Sequence, residues 1–560
     1  VRPLAELDVL IVDCQTTGSS PAFGHVLELG WGVARAARST LDPAEAHWID
    51  LPPGARVPAQ VRKITGYDEA AGEPTLPAEE AWRRIRASVG DAADVPSAIH
   101  YARFELAFLR DWAGRFEPGG PFPLDAVCVH AIACRLYPDL PRQSLRALAG
   151  FLGHGLELTR RSLHHVEATA FVWRKLCEEL GARGIVDWEE LKRWLAEPGP
   201  KRSRSKRPRY PIASERYLTL PNEPGVYRFL RSNGDVLYVG KAASLKQRVS
   251  SHFRGRASKL EAPEMLTQVS DIAVTRTASA LEAALLEHEL IEELTPTYNV
   301  QLVTGDPRVW YATPDFAAAA AAPDVAHRVG PLPSAYSLRP LGALIALVAG
   351  NAADTALRAA AVGVSDLWIP EPEVFAAGWA ELAARYRSAL VPGAGSERQR
   401  VLGWARELLL AGALGKTADA ESDDKPEGWD PARVARHVER TAARAYQTYR
   451  RARWLELIFD ADVGYREPEH ATTRVLRVRN GVVVAATEAA AQVRHGVEST
   501  PSSVASVRAR PVFDRRSYDR LRVLTTELKR IARDGGFVSV RWRVRRELAP
   551  ERIAAVLRLV

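Results

Sequence analysis

Pro224-Gly225-Val226-Tyr227-Arg228-Phe229, then Ser232-Asn233-Gly234-Asp235, then Val236-Leu237-Tyr238-Val239-Gly240-Lys241, form the stretch on which the reading of the fold turns. Two short β-rich runs on either side of an Asn-Gly-Asp turn predict a β-hairpin. Side chains alternate along a strand, so Tyr227 and Tyr238 can share one face. Working outward toward the C-terminus, a helix follows in which Arg248 and His252 stand four apart, on one side. Ser279-Ala280-Leu281-Glu282 has the form of a capping box that opens another helix. Glu287 falls on that helix at helical spacing with Ala283, Leu290 and Leu294, so a carboxylate interrupts a mostly apolar face. The helix ends before Pro296, and Tyr298-Asn299 follows.

Taken singly, each of these residues has an ordinary structural reading. Tyr227 and Tyr238 serve as core tyrosines, Arg248 as a solvated helix charge, and Glu287 as the partner of a nearby lysine. Taken together, two phenols, Lys241, Arg248, His252, Glu287 and Asn299 suit phosphodiester hydrolysis. A carboxylate holds a divalent cation, cationic groups neutralise the charge developing on phosphorus, and a phenol or imidazole handles protons.

In those residues the stretch resembles the N-terminal nuclease domain of the UvrC family and its single-nuclease relative Cho. Gly225-Val226-Tyr227 stands for the "GIY" element and Tyr238-Val239-Gly240 for the "YIG" element. The run from Gly240-Lys241-Ala242 to Arg248, the Leu286-Glu287 and Leu290-Ile291 segment, and Pro296 with Tyr298-Asn299-Val300 match in order and spacing. The resemblance implies a GIY-YIG endonuclease fold, a small antiparallel sheet with helices, over residues 217–303. It carries functional roles to Tyr227, Tyr238, Lys241, Arg248, His252, Glu287 and Asn299. The family commonly has tyrosine where His252 stands, and both side chains shuttle a proton. One Mg2+ or Mn2+ held chiefly by Glu287, water activation by Tyr227 and phosphate stabilisation by Arg248 are also implied. So are 3′-hydroxyl and 5′-phosphate products, damaged duplex DNA as substrate in nucleotide excision repair, and a UvrB-type repair factor as partner.

Upstream, residues 1–195 alternate apolar strand runs with amphipathic helices, the pattern of an α/β domain. Strands are expected at Val9–Asp13, Val26–Val33 and Trp48–Leu51. Helices are expected at Pro77–Ser88, Phe104–Ala113, Ala126–Leu136, Ser144–Leu152 and Val166–Gly181. Val9 to Gly18, containing Asp13-Cys14-Gln15, resembles the first motif of the DnaQ-like (DEDDh) 3′–5′ exonucleases. The likeness runs on through His100 to Glu105, Leu124-Asp125, Ser144-Leu145 and Leu163-His164-His165, and implies an RNase H-like fold. Such exonucleases hold two hard cations with four carboxylates and use a histidine as base. Here Asp13 is unchanged, Gln15 replaces a glutamate, and Glu105 replaces an aspartate. His165 stands at the third-motif aspartate and Arg160 at the general base, so the resemblance implies a degenerate site: Asp13, Gln15, Glu105, Arg160 and His165.

The remainder carries less chemistry. Glu197 to Arg209 is rich in proline, serine and positive charge, and reads as part of a basic linker over 196–216. Its Arg202, Arg204, Lys206, Arg207 and Arg209 are candidate phosphate contacts. Residues 304–416 read as helical and alanine-rich, with Ala317–Ala322 in a loop or at a helix edge, and 417–431 as an acidic linker. From 432 to 560 an arginine-rich helix, striped by Val434, Val438, Ala442, Ala445, Tyr449 and Ala452, precedes a small α+β domain. That domain is expected to hold a hairpin over Arg474–Val484 turning at Asn480-Gly481, a helix over Ser517–Arg533 and a strand over Phe537–Arg545. Arg477, Arg479, Arg541, Arg543 and Arg545 face either phosphate or solvent.

At 560 residues the chain predicts several domains, and a net charge of +8 favours a polyanionic partner. No apolar run is long enough to span a bilayer, and the start lacks a basic-hydrophobic leader, so a cytoplasmic, nucleoid-associated protein without membrane partner is expected. The four cysteines Cys14, Cys128, Cys134 and Cys177 lack metal-type pairing and read as reduced thiols. The leading expectation is therefore a metal-dependent, structure-specific DNA endonuclease carrying an inactive exonuclease-type domain. Its rivals are a two-nuclease protein that also degrades 3′ ends, and a non-catalytic DNA-binding adaptor.

Overall fold

Val9 and Ile11 enter one hydrophobic core while Leu10 and Val12 enter another, because alternate side chains of a strand point to opposite faces. A strand apolar on both faces belongs at the centre of a covered sheet, and that is where β1 (Val9–Thr16) lies. The computed structural model describes residues 2–68, 72–90, 94–155, 160–199, 210–254, 262–299, 308–364, 368–390, 395–414, 428–488, 511–542, 547–548 and 550–560. Two compact units emerge, Val1–Ala283 with Leu290–Leu302, and Ala284–Glu289 with Val303–Val560.

In the first unit β1 is followed by β2 (Val26–Arg35), β3 (Thr40–Ile49), α1 (Ala59–Thr65), β4 (Thr75–Leu76), α2 (Ala78–Val89), β5 (Val95–Ile99) and α3 (Ala102–Phe116). Next come β6 (Leu124–Cys128), α4 (Val129–Leu136), α5 (Leu145–Phe151), α6 (Ser162–Gly181) and α7 (Trp188–Ala196). The six strands run in the order β4-β3-β2-β1-β5-β6. β1, β2 and β3 are antiparallel, whereas β1, β5 and β6 are parallel. This mixed sheet, with helices on both faces, is the RNase H-like arrangement. α4, α5 and α6 cover the Val9/Ile11 face, and α2 and α3 cover the other.

Two expectations need correction here, and one helix, α7, was not anticipated. The helix expected from Ala126 begins at Val129, because Ala126 to Cys128 complete β6 beside β5. The strand expected at Trp48–Leu51 is the tail of a ten-residue β3 that starts at Thr40. Its Glu45 and Ala46 lack an apolar alternation, and pairing with β2 supplies the order instead. α7 occupies residues through Ala196, with Asp187 capping it.

The same unit continues with α8 (Glu215–Leu218), β7 (Gly225–Leu230), β8 (Val236–Ala242), α9 (Leu245–Phe253), α10 (Ala262–Thr267), β9 (Asp271–Arg276) and the two ends of α11 (Ala280–Leu294), whose residues Ala284–Glu289 group with the second unit. The expected hairpin forms, with Tyr227 opposite Gly240 and Phe229 opposite Tyr238. β9 adds an edge strand on the far side of β7 that the sequence pattern did not reveal, giving the order β8-β7-β9. Ser279 caps α11 by accepting from the Glu282 N–H at 3.1 Å.

The second unit opens with β10 (Trp310–Ala312), β11 (Ala319–Ala320) and β12 (Val329–Leu332), a three-stranded sheet where only helix was expected. Part of the alanine run is thus a strand. It is set up by Thr313 and Asp315, which hydrogen-bond the turn before it. Then follow α12 (Arg339–Val348), α13 (Thr355–Val362), α14 (Pro372–Arg385), α15 (Arg387–Leu390), α16 (Glu397–Leu410) and the 28-residue α17 (Pro431–Ile458). Val434, Val438, Ala442, Ala445 and Ala452 of α17 are buried among these helices. β13 (Ala461–Arg466), β14 (Arg474–Arg479), β15 (Val482–Glu488), α18 (Arg515–Arg533), β16 (Phe537–Trp542), β17 (Glu547–Leu548) and α19 (Pro550–Leu559) complete it. Asn480 and Gly481 both take positive φ between β14 and β15, as an Asn-Gly hairpin turn requires.

Candidate active site

Tyr227, Tyr238, Phe229 and Gly240 lie on one face of the β7–β8 hairpin, and α9 packs His252 against that face. Tyr227 is fully buried in ring contact with Phe229, Tyr238 and His252. Its hydroxyl lies 2.8 Å from His252 Nε2. Burial, and secondarily the neighbouring Arg248, push the His252 imidazole down to about 4. The ring is therefore neutral near pH 7, and in its Nδ1–H tautomer Nε2 accepts the phenolic proton. Gly240 makes this contact possible, since a Cβ there would stand 2.5 Å from the Tyr227 Cζ and Oη.

Arg248 is exposed on α9 one turn before His252, and Lys241 is exposed at the end of β8. Asn299 spends its amide on the main chain: Oδ1 accepts from the Val239 N–H at 2.9 Å, and Nδ2 donates to the Val239 carbonyl at 2.8 Å. It pairs with β8 as a further strand residue would, and so fixes the strand that carries Tyr238 and Gly240. Glu287 is half-buried on α11. Mg2+ keeps several waters and commonly takes only one or two protein carboxylates, so a single helix-borne carboxylate fits it, whereas a closed N/S metal site would not form.

The exonuclease-type centre is built differently. Asp13 continues the odd-numbered series of β1 and so meets α6, where His165 Nδ1 lies 3.1 Å from each Asp13 oxygen. The Gln15 amide donates to the Arg160 carbonyl at 2.5 Å, a bond that an ionised glutamate cannot make. Arg160 itself is exposed. Glu105 is buried and accepts from the Cys14 N–H at 3.2 Å. Burial, then the nearby Asp13, hold its carboxyl well above the usual range, which disfavours its ionised form. Among the described residues no group of three or more His, Cys, Asp or Glu is placed to hold a metal ion.

Two residues given no role in the sequence reading shape this centre. Glu28, fully buried, accepts from Arg161 Nε at 2.6 Å and from the Ser162 N–H at 2.9 Å, closing the N-terminus of α6. His100 is buried, and its imidazole is pushed down to about 3 by burial and by His130. Only a glutamate within an apolar strand hinted at the first. The candidate linker contacts Arg202, Arg204, Lys206, Arg207 and Arg209 lie outside the described residues, as do the acidic segment 415–427, Arg543, Arg545 and Val300.

The fold and site together define a GIY-YIG nuclease-type domain joined to an RNase H-like exonuclease-type domain. Residues 223–300 match the UvrC-like GIY-YIG domain family. A Mycobacterium tuberculosis protein named putative bifunctional exonuclease/endonuclease is 29% identical over 312 residues, covering 53% of this chain and 45% of that protein. UvrABC system protein C of Nitrosomonas eutropha is 49% identical over 83 residues, covering 15% of this chain and 14% of that protein. The magnesium-bound GIY-YIG N-terminal endonuclease domain of Thermotoga maritima UvrC is 30% identical, covering 15% of this chain and 93% of that domain, with a TM-score of 0.15. The matches span less than half the length of both curated relatives. Among the described residues no helix is long and apolar enough to cross a membrane.

Proposed function

We propose that the chain is a metal-dependent, structure-specific DNA endonuclease that incises damaged duplex DNA in nucleotide excision repair. The observation that carries this reading is the 2.8 Å contact between the buried Tyr227 hydroxyl and the neutral His252 ring, in a chain segment that matches the UvrC-like domain. The Tyr227 hydroxyl donates to His252 Nε2 and meets the attacking water with its remaining lone pair; as the water oxygen bonds to phosphorus the P–O3′ bond breaks, and a water proton passes to the leaving 3′ oxygen. Arg248 and Lys241, both exposed, neutralise charge on the phosphate. Tyr238 shares the Tyr227 face and orients the reacting groups, and Asn299 holds their strand in place. Glu287 would hold Mg2+ or Mn2+, which when bound would supply Lewis-acid stabilisation of a phosphoryl oxygen. The basic linker contributes phosphate contacts through Arg202, Arg204, Lys206, Arg207 and Arg209, and a UvrB-type factor recruits the chain to lesions. The exonuclease-type domain does no metal chemistry, because His165 fills the Asp13 side of its centre, Gln15 brings no charge and burial disfavours an ionised Glu105.

The test is nicking of damaged and undamaged plasmid in Mg2+ by wild type, Glu287→Ala and Tyr227→Phe, each checked for fold by circular dichroism. Loss of nicking in both folded variants is expected. Full nicking by folded Glu287→Ala overturns the site, and no nicking of either plasmid by wild type overturns the function.

A further inference from the structure

The second unit carries no motif, yet one of its helices presents an unusual surface. The first half of α17 buries Val434, Val438, Ala442 and Ala445 against the helical core. At 100° per residue, and with Ala435, Ala443 and Tyr446 buried as well, the opposite face carries Arg433, Arg436, His437, Arg440, Arg444 and Gln447. That face has four arginines, no carboxylate and no apolar side chain. Glu439, the one acid on this half of the helix, points off the face and is held by Arg385 and the Tyr386 hydroxyl.

The arginines at the two ends of this arc are treated differently. Arg433 is fixed, its guanidinium stacked over Trp368 at 4.7 Å and Trp429 at 5.5 Å, while the two indoles pack at 4.5 Å. Arg436 and Arg444 are exposed and Arg440 is half-buried. Among the described residues, ion pairs recur on the neighbouring α14, as at Arg385, and further along α17, as at Arg453, but ion pairs and side-chain hydrogen bonds are absent from these three guanidiniums. Three cations in a row, four residues apart, repel one another and gain nothing from the fold. Successive members are separated by roughly 6 Å along the axis, comparable to the spacing of phosphates along one strand.

We propose that this face of α17 is a binding track for the phosphodiester backbone of nucleic acid. Arginine forks match phosphate geometry in two hydrogen bonds, and the unpartnered row accepts a polyanion without first breaking an internal ion pair. A membrane is the wrong partner, because no apolar side chain lies within the arc to enter a bilayer. The sheet arginines considered from the sequence are poorer candidates, since Arg479 is bound to Asp462 at 2.7 Å and Arg477 lies 3.9 Å from the same carboxylate. DNA is chosen as the probe because of the nuclease reading; the track itself does not depend on that reading.

The test measures anisotropy of a labelled duplex and a labelled single strand with the full chain in EDTA, across a salt series. R436Q/R440Q/R444Q is expected to weaken duplex binding about tenfold or more and to lower the log–log salt slope by about 2 to 3, since each phosphate contact contributes about 0.9. The matching Arg→Lys triple retains most of the slope. R83Q/R115Q/R183Q, the same charge change at ion-paired arginines of the first unit, leaves binding near wild type. Equal losses in track and control triples overturn the proposal, as does an unchanged slope. So does binding of the wild type to phosphatidylserine vesicles, through these arginines, in preference to either oligonucleotide. Nicking is scored separately: a chain that never nicks but shows the slope change loses the nuclease reading and keeps the track.

Discussion

Gly240 shows at the scale of one residue why a motif letter is fixed. Its missing Cβ leaves room for the Tyr227 ring and hydroxyl at 2.5 Å and for Tyr238 Cε1 at 2.7 Å. Gly240→Ala therefore has to push Tyr227 away from His252, and a displacement near 1 Å of a reacting group costs about 100-fold in rate. The expected result is a folded protein whose kcat for nicking falls about that much while KM changes little; a Gly240→Ala enzyme of normal kcat contradicts the Tyr227 assignment. The histidine at 252 is equally informative, because burial has moved it out of its usual range. Its folded value of about 4 lies below the unfolded value of about 6.5, so the unfolded chain binds more protons between these limits. Stability is thus complete above pH 6.5 and declines as pH falls toward 4, by up to about 1.4 kcal/mol per pH unit, with buried His100 adding a similar slope that continues toward pH 3. Tm measured from pH 7 to 4.5 should drop less steeply in His252→Tyr than in wild type, with nicking retained. A ring titration midpoint near 6.5 in the folded protein would refute this. The sequence disclosed which chemical types stand here, since the motif carries them locally. It did not disclose the depressed imidazole, which depends on Phe229, Tyr227 and Tyr238 arriving from the sheet.

At the scale of elements, strands and helices with their own apolar period were legible and those ordered by neighbours were not. β1, β2, α2, α6, α17 and the Asn480-Gly481 hairpin follow from local pattern. β9 and β11 follow only from pairing, and β6 was absorbed into a helix because Ala126 to Cys128 suit either state. The packing of α5 on α10 was equally invisible, although it joins the two nuclease-type folds within the first unit. Ser144 donates to Glu264 at 3.1 Å, Arg146 stacks over Tyr298 at 5.3 Å, and Tyr298 donates to Glu264 at 3.0 Å. Gln268, buried, donates to the Tyr298 hydroxyl at 2.8 Å and accepts from Arg231 at 3.2 Å. Gly150 lies against this network, where a Cβ would come within 1.9 Å of Gln268 Oε1. A free side chain would swing aside, but Gln268 is tied at both ends of its amide. Gly150→Ala is therefore expected to destabilise the chain by about 1–3 kcal/mol, read as a lowered Tm. Gln268→Ala in the same background should relieve part of that loss, and a Gly150→Ala protein as stable as wild type would show that the two folds do not pack here.

At the scale of the whole molecule the question is whether two nuclease-type folds make two nucleases. A pair of divalent cations brings four positive charges into one small site, and exonucleases of this fold answer with four carboxylates. Here Asp13 is already engaged by His165, Gln15 is latched to the main chain at Arg160, and burial disfavours the ionised form of Glu105. The general-base position is Arg160, a guanidinium with no acceptor to take a proton from water. This much was readable from residue types, because charge is a property of the sequence. That the vacated positions had acquired contacts of their own was not. The full chain carrying Glu287→Ala, so that endonuclease products do not confuse the readout, is expected to release no mononucleotides from a 3′-labelled strand in Mg2+ or Mn2+. Gln15→Glu with His165→Asp restores two carboxylates, and the added negative charge should raise Mn2+ affinity measured by calorimetry even without turnover. Time-dependent mononucleotide release by the Glu287→Ala chain, abolished by adding Asp13→Ala, would mean that Asp13 still works with metal and that the chain holds two active nucleases.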